Sequence, residues 1–296
     1  MNINSLAYEI RRGLWALDVT MVDSYWPLVH NVMAGKGHGL QEIIKAESLL
    51  GILDSQGNVK MPDENGRLDL PPHSVAQVSM IGEVIKNGDY CVYGADEICN
   101  ALYAADRNPN IDATVFKIDG PGGAVSAIDT FRQFAKYKTK PIVGLLDDAL
   151  SLHYWTAVEE CDFLIANGDV APRFGSVGVV ASWRDYSKAM EEAGVKEIEV
   201  YGPESQHKNL VFTNARKGDY KMLQDEQLSP LELKFKQSVR NGRPNLKEAE
   251  GVLTGKTFYA DEALSYNMID AIGNSQDAVN KARALALNYK IREFNH

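Results

Sequence analysis

The run KPIVGLLDDALSLHYWTAVEE, residues 140–160, decides how this chain folds. Its first nine residues form a short β-rich stretch, and the residues after Ser151 read as the start of a buried helix. A strand that delivers a lone serine to the head of a helix is one βα unit, and the same alternation repeats on both sides. VAQVSMIG (75–82), DATVFKIDG (112–120), CDFLIANG (161–168) and FGSVGVVAS (174–182) read as strands, while GADEICNALYAADRNP (94–109) and SAIDTFRQFAKYK (126–138) read as helices. Strands alternating with helices of this length imply βαβ crossovers, hence an α/β domain on a mainly parallel sheet with covered faces.

Upstream the pattern differs. Leu6, Ile10, Leu14, Ile43, Ile44 and Leu49 recur at helical spacing and predict helices. DSQGNVKMPDENGRLDLPP (54–72) then places Gly57, Gly66, Pro62, Pro71 and Pro72 among polar residues, which predicts a loop. The expected organisation is an N-terminal helical segment and loop over 1–72 and a core domain over 73–296. A hydrophobic content of 45% is enough for a real core, and a net charge of −9 argues against nucleic acid as the main partner. Cys91, Cys99 and Cys161 lack CxxC spacing, so neither a disulfide framework nor a zinc site is implied. Apolar runs of about 18 residues are missing, and Glu9, Arg11 and Arg12 interrupt the N-terminus where a signal peptide would be apolar. A soluble, cytoplasmic chain without membrane, metal or cofactor is expected.

In a parallel α/β sheet, ligand sites gather at the carboxyl ends of strands. KIDGPGGAVSAIDTF (117–131) is strand, glycine turn, helix: Gly120, Gly122 and Gly123 let backbone approach a ligand and Pro121 stiffens the turn. It is either a tight connection or an oxyanion hole of backbone N–H groups; no phosphate-loop signature follows. Ser151 stands at the same kind of position one unit later, as a helix cap or as a nucleophile that needs a base. His153, two residues on, is turned away from Ser151 on a helix. His207 and Lys208 follow a later strand, and serine–lysine pairs are a known nucleophilic arrangement once desolvation keeps the lysine neutral.

DGPGGAVSAID (119–129), LSLHYWTAVEECDFLIA (150–166), FGSVGVVASWRDYSKAMEEAGV (174–195), VYGPESQHK (200–208) and GVLTGKTFYADEALSYNMIDAIG (251–273) stand in that order. Over residues 75 to 285 the chain thereby resembles the signal peptide peptidase family of serine–lysine proteases, including its phage branch of capsid-assembly (head maturation) proteases. The resemblance implies a Clp/crotonase-like spiral of ββα units and ring-like homo-oligomers. It makes Ser151 the nucleophile, Lys208 the general base, and Gly122, Gly123 and the amide of Leu152 the oxyanion donors. Gly175, Ser176, Val177, Gly178 and Val179 become the substrate-binding strand, and the segment around Gly255 and Ala263 a packing element. Two features depart from the pattern. Relatives often carry Gly-Gly after the serine, where Leu152 and His153 stand here, so Leu152 is expected to narrow the cleft. Gly120 stands where relatives often have serine.

The expected function is a serine endopeptidase with a Ser151–Lys208 dyad, acting without cofactor or metal on capsid or scaffold proteins of a phage or prophage, in the host cytoplasm or procapsid interior. The alternatives are an inactive structural phage-head protein and a crotonase-like acyl-CoA enzyme, neither of which needs the dyad. Leu233, Phe235, Val239, Val279, Ala284 and Leu285 in the tail helices are expected at contacts between subunits of the homo-oligomer.

Overall fold

A computed structural model describes residues 14–17, 49–88, 93–183, 185–196 and 198–294. The strands are β1 (Leu14–Leu17), β2 (Leu50–Leu53), β3 (Val59–Lys60), β4 (Ser74–Ile81), β5 (Ile111–Gly120), β6 (Gly122–Ala124), β7 (Ile142–Leu150), β8 (Phe163–Asn167), β9 (Arg173–Gly175), β10 (Val180–Ala181), β11 (Thr257–Tyr259) and β12 (Ala271–Gly273). The helices of six or more residues are α1 (Ala95–Arg107), α2 (Ile128–Tyr137), α3 (Leu152–Glu160), α4 (Ser187–Glu192), α5 (Leu210–Arg216), α6 (Ser229–Gly242), α7 (Ala260–Ser265) and α8 (Ser275–Phe294).

The central sheet runs β11-β9-β7-β5-β4-β2-β3, with β8 beside the first half of β7 and β12 on the far side of β8. β4, β5, β7 and β8 are parallel, joined through α1, α2 and α3 as the βα alternation requires. Side chains alternate across this sheet. Phe116, Ile118 and Leu146 enter the cluster that α1, α2 and α3 cover, whereas Val115, Val143, Leu145 and Ile165 meet Ala278, Val279, Ala282 and Ala286 of α8. Period-2 alternation between two covered faces is the signature of a buried parallel sheet. The α/β class with a mainly parallel sheet is therefore the fold.

β7 decides where the site lies. Val143–Leu146 pair with β8, but Ala149 and Leu150 pair with β9, so the sheet forks at Asp147 and Asp148. The Ser151 N–H donates to the Gly175 carbonyl at 2.8 Å, one step beyond the last rung. The fork sets the residue after β7 against a different chain segment from the one that flanks its start.

Several expectations are corrected. Leu14 lies in a strand, because β1 pairs with β6 and β10 in a small antiparallel sheet that buries Trp15 and Ala16. Leu49 immediately precedes β2, which joins the central sheet beside β4. In both places strand pairing outweighs local helical spacing. Leu6, Ile10, Ile43 and Ile44 lie outside the described residues, as does Cys91. FGSVGVVAS is split between β9 and β10, which belong to different sheets. Phe235, Val239 and Val279 are buried within their own chain: Phe235 stacks on Trp155 with centroids 4.4 Å apart, and Val279 packs under the central sheet. Leu233 and Ala284 are exposed and Leu285 half-buried.

Candidate active site

Ser151 directly follows β7 and occupies the N-cap position of α3, yet its side chain makes no capping hydrogen bond. Its backbone has φ 53° and ψ −114°, in the half of φ space that favours glycine. For a residue with a Cβ this costs on the order of 1–3 kcal/mol and persists only where the surroundings over-determine it. Three strong constraints are in place: the 2.8 Å bond from Ser151 N–H to Gly175, the 2.9 Å bond from Trp155 N–H to the Ser151 carbonyl, and complete burial of Leu152 and His153 next in line. The hydroxyl retains one long contact, 3.5 Å to the Gly178 carbonyl. A serine on a sharp, strained strand-to-helix turn, with its hydroxyl left uncommitted, is how hydrolases present a nucleophile.

The hydroxyl faces a cleft of about 360 Å³ lined by Ser151, residues 176–180, Glu232, Thr254 and Gly255. Ser176, Val177, Gly178 and Val179 thus form one wall; they lie between β9 and β10 and belong to neither ladder. Gly175 supports that wall from behind with φ 111°, and a Cβ there would come 2.6 Å from the Lys256 carbonyl. The same carbonyl accepts the Ser176 N–H at 3.0 Å. Glu232 and Thr254 are cleft residues that the sequence did not point to; Glu232 is ion-paired with Lys236 one turn along α6. Gly255 was read only as packing.

Gly122 and Gly123 form β6 and are not part of the cleft wall. They sit against the first turn of α3: a Cβ on Gly123 would lie 2.9 Å from Leu152 Cδ2. Leu152 therefore does not narrow the cleft, because its side chain is buried beneath the glycine turn. His153 is also fully buried, against Gly120. Burial pushes its imidazole down to about 3, so it is neutral at physiological pH. Asp119, just before the turn, has its carboxyl raised by burial against the bond it accepts from the Asp148 N–H.

Lys208 stands elsewhere. It lies on an exposed turn before α5, its N–H donating to the Ser205 carbonyl at 3.0 Å. It does not line the cleft, and among the described residues no hydrogen bond joins it to Ser151. His207 beside it is exposed too. The expected hydrogen-bond reach between Ser151 and Lys208 is not seen among the described residues, where the turn carrying Lys208 is held by local backbone bonds, Lys208 N–H to Ser205 and Leu210 N–H to His207.

A serine presented on a strained strand-to-helix turn beside an extended wall is hydrolase geometry, and the profile of peptidase family S49 matches residues 135–288, just over half of the chain and the part that contains this site. The chain belongs to peptidase family S49. It is similar to Protease 4 of Haemophilus influenzae, 26% identical over 95% of this chain and 44% of that one. It is also similar to Protease 4 of Salmonella typhi, 23% identical over 65% of this chain and 31% of that one. The chain thus spans less than half the length of these S49 relatives. A solved enoyl-CoA hydratase/isomerase family protein from Silicibacter pomeroyi overlaps 80% of the chain and 84% of its own, at 16% identity and a TM-score of 0.41, too loose a likeness to carry an argument. Among the described residues no helix is long and apolar enough to cross a membrane, and no cluster of His, Cys, Asp and Glu is set to hold a metal.

Proposed function

We propose that this S49 chain is a serine endopeptidase of the signal peptide peptidase type, with Ser151 as nucleophile and Lys208 as general base. The observation that carries the reading is Ser151 itself: strained, uncapped and open to a cleft whose other wall is the chain from 176 to 180. An extended polypeptide laid along that wall presents a carbonyl carbon to Ser151 Oγ. As the C–O bond forms, the hydroxyl proton passes to the Lys208 amine, and the oxyanion is assigned, on the family resemblance, to backbone N–H groups of Gly122, Gly123 and Leu152, the two glycines standing outside the cleft wall in the single chain. Collapse breaks the C–N bond, the lysine returns its proton to the leaving amine, and water hydrolyses the acyl-serine by the same route.

Lys208 is exposed in the single chain, and a lysine serves as a base only where it is removed from water. The stretch around it is rich in exposed apolar residues, including Trp183, Tyr186, Met190, Ile198 and Val200. A homo-oligomer in which this stretch is covered would bring a lysine into an enclosed Ser151 cleft, and it supplies what the isolated chain lacks. Capsid and scaffold proteins as substrates, in phage or prophage assembly, is the narrower reading and rests on the sequence resemblance; the matched relatives carry the name Protease 4.

The test is incubation of the full chain with an unstructured protein substrate and with capsid and scaffold proteins, followed by mass spectrometry of fragments. Internal cleavage by the native chain and none by Ser151→Ala supports the endopeptidase reading. Equal fragments from both, or none from either with the oligomer formed, contradicts it.

A further inference from the structure

His153 is a buried histidine that the proposed chemistry does not use. It has no exposed surface, and among the described residues neither ring nitrogen completes a hydrogen bond. Its surroundings are specific. The Cβ that Gly120 lacks would fall 2.4 Å from His153 Nε2, 2.8 Å from His153 Cε1 and 2.6 Å from the Gly82 carbonyl oxygen. Gly120 has no positive φ, so occupied space and not backbone strain excludes a side chain there. The ring therefore rests directly on Gly120 with the Gly82 carbonyl beside it. That carbonyl favours a proton on the ring, though the contact stops short of hydrogen-bond geometry.

These three residues belong to three neighbouring strand ends. Gly82 follows β4 and donates its N–H to the Asp119 carbonyl of β5 at 2.8 Å; Gly120 ends β5; His153 stands two residues beyond Ser151, in the first turn after β7. One imidazole thus touches the ends of β4 and β5 from the helix that Ser151 begins. Leu152 adds a parallel contact at Gly123. Nothing about His153 suits it to exchange protons with substrate, because it lies behind the glycine turn and not in the cleft wall.

We infer that His153 is a positioning residue: wedged between Gly82 and Gly120, it pins the first turn of α3 to the ends of β4 and β5, and so holds Ser151 in its strained backbone at a set distance from the glycine turn. Gly120 and His153 form a matched pair in which a side chain at one position demands a smaller one at the other. The inference rests on Ser151 being the nucleophile.

The test measures the rate at which a fluorophosphonate modifies Ser151, together with kcat and KM on a peptide cleaved by the full chain, for the native protein, Gly120→Ser, His153→Ala and the double variant. Misplacement of a reacting group by around an ångström is enough to cost up to about a hundredfold in rate. Each single change is expected to lower the modification rate and kcat by about tenfold or more with KM held within about twofold, the pattern of a lost transition-state geometry. The double variant should recover about tenfold over Gly120→Ser, since the two changes share one space and do not add. Folded single variants with native rates, or a double variant whose loss is the product of the two single losses, overturn the inference. If the single variants fail to fold, the double decides: folded and modified, it supports the pairing; unfolded or unmodified, it overturns it. A native protein that is never modified at Ser151 removes the nucleophile reading itself, whereas a modified native protein with additive variants removes only the role of His153.

Discussion

Helix α3, which Ser151 begins, buries eight of its nine residues, whereas α4 buries none and α5, just after Lys208, buries only Ala215. Ser151 is thus backed by a helix set in the core, and the lysine that the family resemblance pairs with it rides on the surface. Strain at Ser151 is affordable because Trp155, Tyr154 and Leu152 anchor the helix behind it. The Lys208 stretch has the opposite character: Ile198 and Val200 are 81% and 89% exposed, the surface that the proposed oligomer would cover. The two halves of the proposed dyad thus stand in different settings, one set into the core and the other on exposed surface.

The largest expected effect separates the halves. Lys208→Arg should lower peptide turnover by about a thousandfold or more, since arginine does not give up its proton, while the melting temperature stays where it was, because the residue is exposed. Retained turnover would hand the role of base to another group, His207 first. Next, Phe235→Ala should reduce folding stability by about 3–5 kcal/mol in urea titrations, by removing the ring stacked on Trp155. A loss no greater than that of a surface substitution would show that α6 does not anchor α3.

The buried titratable groups sharpen the contrast through pH. His153 is pushed down to about 3 from 6.5, so below 6.5 the unfolded chain binds a proton that the folded chain excludes. Stability should fall as pH drops from 6.5 towards 3, by roughly 1.4 kcal/mol per unit at most, and His153→Leu should flatten that limb. Glu160, at the end of α3, has both carboxylate oxygens buried without a hydrogen-bond partner among the described residues, and burial raises it well above 4.5 against the pull of Lys138. Its contribution is present at acid pH and lost as pH rises past 4.5 towards its raised folded value, so Glu160→Gln should stabilise the protein near neutrality. Thermal melts across pH check both signs. The smallest effect belongs to the surface stretch: Ile198→Ser should leave unfolding of the chain within about 0.5 kcal/mol, yet shift sedimentation towards smaller species. Unchanged sedimentation would mean that this stretch is not where copies meet.

Much of the core was legible because βα alternation is a local signal. Strand 140–148 and the helix after Ser151 could be read from periodicity, and β7 runs on through the DD pair to Leu150. Residues 176–179 were legible as a cleft wall through the motif around them. Glu232 and Thr254 were not, since only the tertiary course of α6 and of the turn before β11 brings them to Ser151. Phe235, Val239 and Val279 were assigned to the wrong partner because an amphipathic face announces that it is covered and not by what. Leu152 was misjudged for a related reason. Its bulk was visible, but the room for it comes from the missing side chain at Gly123, more than two dozen positions upstream.

The most direct test of the account is intact-protein and peptide mass spectrometry after treatment of the full chain with a fluorophosphonate. The account predicts a single phosphonyl adduct, located on Ser151, absent from Ser151→Ala and slowed in His153→Ala. An unmodified chain, or an adduct on Ser176 or any other serine with Ser151 left free, would contradict it.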